Sequence, residues 1–172
     1  MLLKGLNISL RALEPTDLEL IYFWENDPEV WKFSHTLTPF SKFVLAQYLE
    51  TQHLDIYASK QLRLVVIDSN KFPVGLIDLF EFDPKNRRAG LGILIDVNAR
   101  EKGFAKEALQ LIEDYCFNHL DLTQVYANIG ATNEKSLKLF ESSGYEKVGV
   151  KKRWIKTSEG FEDEALYQKF NT

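Results

Sequence analysis

The chain has 172 residues, 45% hydrophobic and 13% aromatic, enough apolar content to bury one sizeable core, so a single domain over 1–172 is expected. A formal net charge of -4 excludes general attraction to nucleic acid despite local basic runs such as Lys151, Lys152 and Arg153, so any anionic ligand must be held locally. The start lacks a secretory pattern, no run approaches the ~18 apolar residues of a membrane span, and the lone Cys116 has no partner for a disulfide or a thiolate metal site, which points to a soluble cytoplasmic protein.

In chain order, residues 6–13 (LNISLRAL) alternate as a strand, and 16–26 (TDLELIYFWEN) follow as a helix with Thr16 and Glu19 at capping-box spacing. Asp27-Pro28 marks a turn into the short aromatic segment EVWKFSH, and 39–53 reads as a second amphipathic helix. Three strands come next, at 62–68, 73–83 and 88–96, separated by turns short enough for antiparallel hairpins. The stretch 103–120 repeats apolar residues at helical spacing through Ala105, Ala108, Leu109, Ile112, Cys116 and Leu120. It leads to a strand at 123–129, a short helix at 135–143 ended by Gly144, and two closing strands, YEKVGVKKRWI and FEDEALYQKF, around the turn TSEG. A βαβ unit inside an otherwise antiparallel set of hairpins makes the fold class α+β, with a mixed, mostly antiparallel sheet.

The most informative turn lies in IDVNAREKGFAKEAL (95–109), where a strand runs through a polar turn into a helix. Backbone amides at a helix N-terminus favour phosphate oxygens, Gly103 admits close backbone approach, Arg100 and Lys102 add positive charge, and the small Ala105 leaves the first turn open. The plain alternative is a tight turn with solvated basic side chains. A dinucleotide fold is disfavoured, because GLGILI has no third glycine and follows hairpins rather than opening a parallel unit.

The run Arg100-Glu-Lys-Gly103-Phe-Ala105 resembles the acetyl-coenzyme A motif Arg/Gln-x-x-Gly-x-Gly/Ala of the GNAT N-acetyltransferases. NEKSLKLFESSGY (133–145) resembles their second signature, Asn-x-x-Ala-x-x-Leu-Tyr-x-x-x-Gly-Phe, and the likeness extends over nearly the whole chain. Within that family, VGLIDLFEFDPKNRRAGLGILID is most similar to spermidine/spermine and ribosomal-protein N-terminal acetyltransferases. The resemblance implies helices on both faces of the sheet and a splayed central strand pair into which acetyl-CoA inserts. Pantetheine would pair with the backbone of Ile95 and Val97. Pyrophosphate would lie on the amides of Lys102, Gly103, Phe104 and Ala105 with Arg100 beside it, and Asn133 and Ser136 would contact the pantetheine arm or the adenosine end.

It also implies acetyl transfer to a primary amine, either a polyamine-like small molecule or a protein N-terminus. The rival reading is a non-catalytic acyl-CoA binding module, and a homo-oligomer stays open. A carboxylate base suits an alkylamine of pKa ~10.4. Glu81 is the first candidate and Asp78 the second, and side-chain alternation puts the two on opposite faces unless a bulge intervenes. Trp24, Trp31, Phe33 and His35 would line an aromatic acceptor slot, with Glu29 attracting a cation. No metal-ligand spacing is present. Three departures stand out: Phe140 occupies the position of the family's proton-donating tyrosine, Thr36 and Leu37 replace adjacent acids of spermidine acetyltransferases, and Gly90 replaces a further one. Tyr126 or Tyr145 would stand in for the missing phenol only if the fold brings a hydroxyl to the sulfur.

Overall fold

A computed structural model describes residues 3–171. Its elements are β1 (Ile8–Ala12), α1 (Leu18–Glu25), α2 (Pro28–Ser34), α3 (Lys42–Glu50), α4 (Ile56–Ser59), β2 (Leu62–Asp68), β3 (Pro73–Asp83), β4 (Arg88–Ile95), α5 (Phe104–Asp114), β5 (Gln124–Gly130), α6 (Glu134–Ser142), β6 (Glu146–Thr157) and β7 (Gly160–Phe170). The seven strands form one sheet in the order β1-β2-β3-β4-β5-β7-β6, antiparallel everywhere except at β4–β5.

Burial explains why β2 reads as a nearly continuous apolar run. Leu64 and Val66 face a core built with α5, β4 and β5, while Val65 and Ile67 face a second core with Ile21 and Trp24 of α1 and Leu45 of α3. Both faces of the sheet are therefore covered, which removes the polar alternation expected of a half-solvated strand. On β5 the division is sharper. Val125, Ala127 and Ile129 enter the α5 core, which leaves Tyr126 and Asn128 on the α1/α3 side.

Several expected elements change on folding. The capping box before α1 joins Glu14 and Asp17 rather than Thr16 and Glu19, because Arg11 grips the Asp17 carboxylate at 2.7 and 2.8 Å while Asp17 accepts the Glu14 N–H at 2.8 Å. Asp27-Pro28 starts a helix instead of a plain turn: Asp27 accepts the Glu29 N–H and Pro28 occupies the first helical position. The second amphipathic helix begins only at Lys42, capped by Ser41, and a further short helix, α4, precedes β2. The long helix stops at Asp114, and a wider π-type turn, Tyr115–His119, buries Cys116 completely while its carbonyl accepts the Leu122 N–H. Among the described residues no helix is long and apolar enough to cross a membrane.

Two irregularities position the site. The β4–β5 ladder lasts three residue pairs, ending at Gly90 opposite Tyr126, after which the strands part. On the other side of β4, the β3 register slips by one residue between Phe80 and Asp83, and Glu81 takes a left-handed backbone conformation at φ 49°.

Candidate active site

β4 ends at Ile95, and the chain passes through a 3-10 turn, Val97–Ala99, on its way to α5. Asp96 organises this turn. One carboxylate oxygen accepts the Asn98 backbone and side-chain N–H groups at 2.9 and 3.1 Å, and the other accepts the Trp24 indole N–H at 2.9 Å. Burial pushes the Asp96 carboxyl up, but hydrogen bonds from Trp24 and Asn98 outweigh it and hold the group below the usual carboxylate range. Trp24, 3% exposed and bonded to Asp96, thus anchors this turn from within the α1/α3 core.

Gly103 is the N-cap of α5 at φ 79°, and a Cβ built there would meet nothing within 4 Å. The left-handed conformation suits glycine, and the space above it is open. The first bond of the helix runs from the Glu107 N–H to the Gly103 carbonyl at 3.1 Å, so the preceding amides have no acceptor within it. Glu107, the acid of that first turn, faces away to accept the Asn7 backbone and side-chain N–H groups at 2.8 and 3.0 Å. Exposed Lys102 extends over the Phe104 ring at 6.0 Å, and half-buried Ala105 follows. Open space, free amides, two cations and an acid turned aside fit a diphosphate.

Val97, expected to pair with an extended ligand, lies beyond the strand in the 3-10 turn that follows Asp96, while Ile95 ends β4 and its carbonyl accepts from Arg100 Nε at 3.0 Å. The unpaired edge available to an extended ligand is Leu91–Ile95 of β4 facing Ala127–Gly130 of β5. At α6, the Asn133 side chain caps the helix by accepting the Ser136 N–H at 3.2 Å, leaving its amide N–H groups uncommitted by that bond.

The bulge separates the two acid candidates by environment rather than by face. Asp78 lies directly opposite Arg63 of β2, which donates to it twice, at 2.6 and 2.8 Å, and also contacts Glu25 of α1. Burial opposes the Arg63 charge, but the two carboxylates outweigh it and raise the guanidinium further. Asp78 is therefore committed to a structural ion cluster. It borders a cavity of about 170 Å³ lined by Tyr48, Gln61, Leu62, Arg63, Leu79 and Phe80 as well. Glu81 is exposed, and its carboxylate accepts the Tyr126 hydroxyl across the mouth of the splay. The Phe80 ring meets the Tyr126 ring edge-to-face at 5.9 Å, and a Cβ at Gly90 would come within 2.2 Å of Phe80 Cε2. The glycine that replaces a subfamily acid thus makes room for Phe80.

On the acceptor side the residues are dispersed. Glu29 pairs with Lys32 at 2.6 Å on the exposed face of α2, and Trp31 donates its indole N–H to the Glu25 carbonyl at 2.6 Å, while Phe33 is half exposed. His35 reaches Glu164 of β7 at 3.7 Å. Glu164 is only 5% exposed and bonded to Lys151 of β6, a buried ion pair that nothing local in the sequence marks. Phe140 is 3% exposed and packs against the Tyr145 ring edge-to-face at 4.9 Å. The Tyr145 hydroxyl is sealed in the α5 core, where burial and nearby Glu113 keep it protonated. Among the described residues no cluster of His, Cys, Asp and Glu is arranged to hold a metal ion.

Three comparisons relate the chain to known proteins. The family model for the acetyltransferase (GNAT) domain matches residues 7–146. The spermidine N(1)-acetyltransferase of Vibrio cholerae serotype O1 is 30% identical over 142 residues, covering 83% of this chain and 80% of that protein. The crystal structure of spermidine N-acetyltransferase from Vibrio cholerae in complex with CoA and spermine superimposes with a TM-score of 0.86 at 27% identity, covering 95% of each chain. A dodecameric structure of the Vibrio cholerae enzyme gives 0.79 at 26% identity, covering 95% of this chain and 93% of that one.

Proposed function

The chain belongs to the acetyltransferase (GNAT) family and is an acetyl-CoA-dependent acetyltransferase, and from that premise we propose that its acceptor is a primary amine of a polyamine-like small molecule, with Glu81 as general base. The observation that carries this reading is the Glu81 carboxylate at the β3 bulge, beside the point where β4 and β5 part. Acetyl-CoA supplies an activated acyl group as a thioester. The amides around Gly103, with Arg100 and Lys102, hold its diphosphate, and the acceptor nitrogen approaches from the α1/α3 side, where Glu81 removes its proton.

A polyamine-like acceptor is supported by the Vibrio relatives and by a second acid on the same face. Glu164 pairs with Gly130, four residues along β5 from Tyr126, which places the two acids roughly 13 Å apart along the strand. A flexible di- or triamine spans such a distance. Lys151 already occupies Glu164, so a second ammonium must compete with it, and saturation is expected to be weak and salt-sensitive. The dodecameric relative also supports a homo-oligomer here, which light scattering during gel filtration tests.

Thiol release measured with spermidine, spermine, monoamines and short peptides, with products located by mass spectrometry, tests the acceptor. Polyamines acetylated well ahead of peptides are expected. Saturation by peptide α-amines with no turnover of polyamines would overturn the proposal.

A further inference from the structure

The family's usual proton donor is absent, because Phe140 carries no hydroxyl, and the nearby Tyr145 phenol is enclosed in the opposite core. Another phenol stands at the splay itself. Tyr126 is the last β5 residue paired with β4, and it projects to the α1/α3 side, between the core-facing Val125 and Ala127. Its hydroxyl donates to Glu81, and its ring is braced by Phe80, which in turn requires Gly90 to lack a side chain. Four residues on three strands are thus fitted around one O–H···carboxylate contact. Glu81 makes this contact from the left-handed residue of the β3 bulge.

We propose that Tyr126 is the general acid that protonates the departing coenzyme A sulfur, and that Tyr126 and Glu81 act as one proton-transfer couple. This inference rests on the acetyl-transfer reading of the splay. In the forward direction the amine nitrogen bonds to the acetyl carbon, and the proton it sheds passes to the Glu81 carboxylate. As the C–S bond breaks, sulfur keeps the electron pair and takes the Tyr126 proton. Glu81 then returns its proton to the phenolate oxygen along the hydrogen bond already present. The amine has lost one proton, the thiol has gained one, and both side chains are restored without any further reactant.

The electrostatics support this order. Burial, together with the hydrogen bond to the Glu81 carboxylate, raises the Tyr126 phenol, so it stays protonated in the resting enzyme. Once Glu81 takes the amine proton its negative charge is gone. The phenol then becomes a stronger acid at the moment when sulfur needs the proton.

The test compares Tyr126→Phe, which keeps the ring and its Phe80 contact, with site-specific replacement of Tyr126 by 3,5-difluorotyrosine, a more acidic phenol. Steady-state kinetics with acetyl-CoA and spermidine are measured across pH, beside coenzyme binding by calorimetry. Tyr126→Phe is expected to lower kcat on the order of 10²-fold while KM for acetyl-CoA and the melting temperature hold. The difluorotyrosine enzyme should show the basic limb of its rate profile at lower pH than the natural enzyme does. Phe140→Tyr should change kcat by no more than a few fold, because a proton donor is already present. A Tyr126→Phe enzyme as fast as the natural one, an unshifted difluorotyrosine profile, or strong activation by Phe140→Tyr would each overturn the assignment while leaving the acetyltransferase reading intact. A natural enzyme that binds the coenzyme but acetylates no amine would overturn both.

Discussion

Replacing Gly103 with aspartate should weaken acetyl-CoA binding through charge more than through shape. A Cβ at this position meets nothing within 4 Å, so the fold itself presents no clash. The left-handed backbone, φ 79°, costs an ordinary residue about 1–2 kcal/mol, and asparagine tolerates it better than most. Gly103→Asn is therefore the control, matching aspartate in size and leaving only the charge different. One negative charge about 5 Å from a phosphate costs roughly 0.8 kcal/mol at the dielectric of water and about 3 kcal/mol at the lower effective value near a protein surface. Because the turn is exposed, the effect should fall toward the lower half of that range, about 5- to 30-fold in affinity. Calorimetric titration of both variants with coenzyme A at low and moderate salt measures it, and the gap should shrink as salt rises. Equal affinities for the two folded variants at low salt would refute the placement of the diphosphate on this turn.

The two acid candidates should separate cleanly: Glu81→Gln is expected to lower kcat ~10²- to 10⁴-fold with coenzyme affinity intact. Asp78→Asn should instead leave Arg63 underpaired and cost on the order of 1–3 kcal/mol in urea unfolding with little change in kcat, and a reversed pattern would move the base to Asp78. Burial pushes Asp17 up, but hydrogen bonds from Arg11 and the Glu14 amide dominate and hold it below its ordinary value. It therefore contributes stability that is present above about pH 4 and lost as pH falls through the folded-state value, so Asp17→Asn should flatten the acid limb of a stability profile. Lys151→Ala frees Glu164 and should lower KM for spermidine more than for a monoamine, and equal shifts for both would remove Glu164 from the acceptor path.

Strands were the most legible part of the chain. The bounds of β2 and β3 are readable because apolar runs stop at turn residues, and the start of β4 because Arg87-Arg88 precede an apolar run, whose expected end at 96 falls one residue past Ile95. α2 was obscured because Asp27-Pro28 is equally good chemistry for a turn and for a helix start. The residues proposed to hold a diphosphate lie within one short segment, so they can be named together. The proposed catalytic face cannot be read this way. Whether Glu81 and Asp78 share a face depends on a one-residue slip in register, which no residue type announces. The Glu81–Tyr126 contact joins residues 45 apart in sequence, and the Glu164–Lys151 pair depends on β7 lying between β5 and β6.

The parting of β4 from β5 gives the sheet two edges in its interior. Outer edges such as β1 and β6 can recruit the strand of another chain, which is the usual route to aggregation. An edge inside a wedge is closed to so broad a visitor and open to a slender one, so main-chain donors and acceptors stay available for recognition without that hazard. Until such a guest arrives, the two halves of the sheet are joined by three residue pairs and by the core that their strands share under α5. Amide hydrogen exchange in the empty protein should therefore find β1–β4 and β5–β7 opening as separate units, and ligand should fuse them into one.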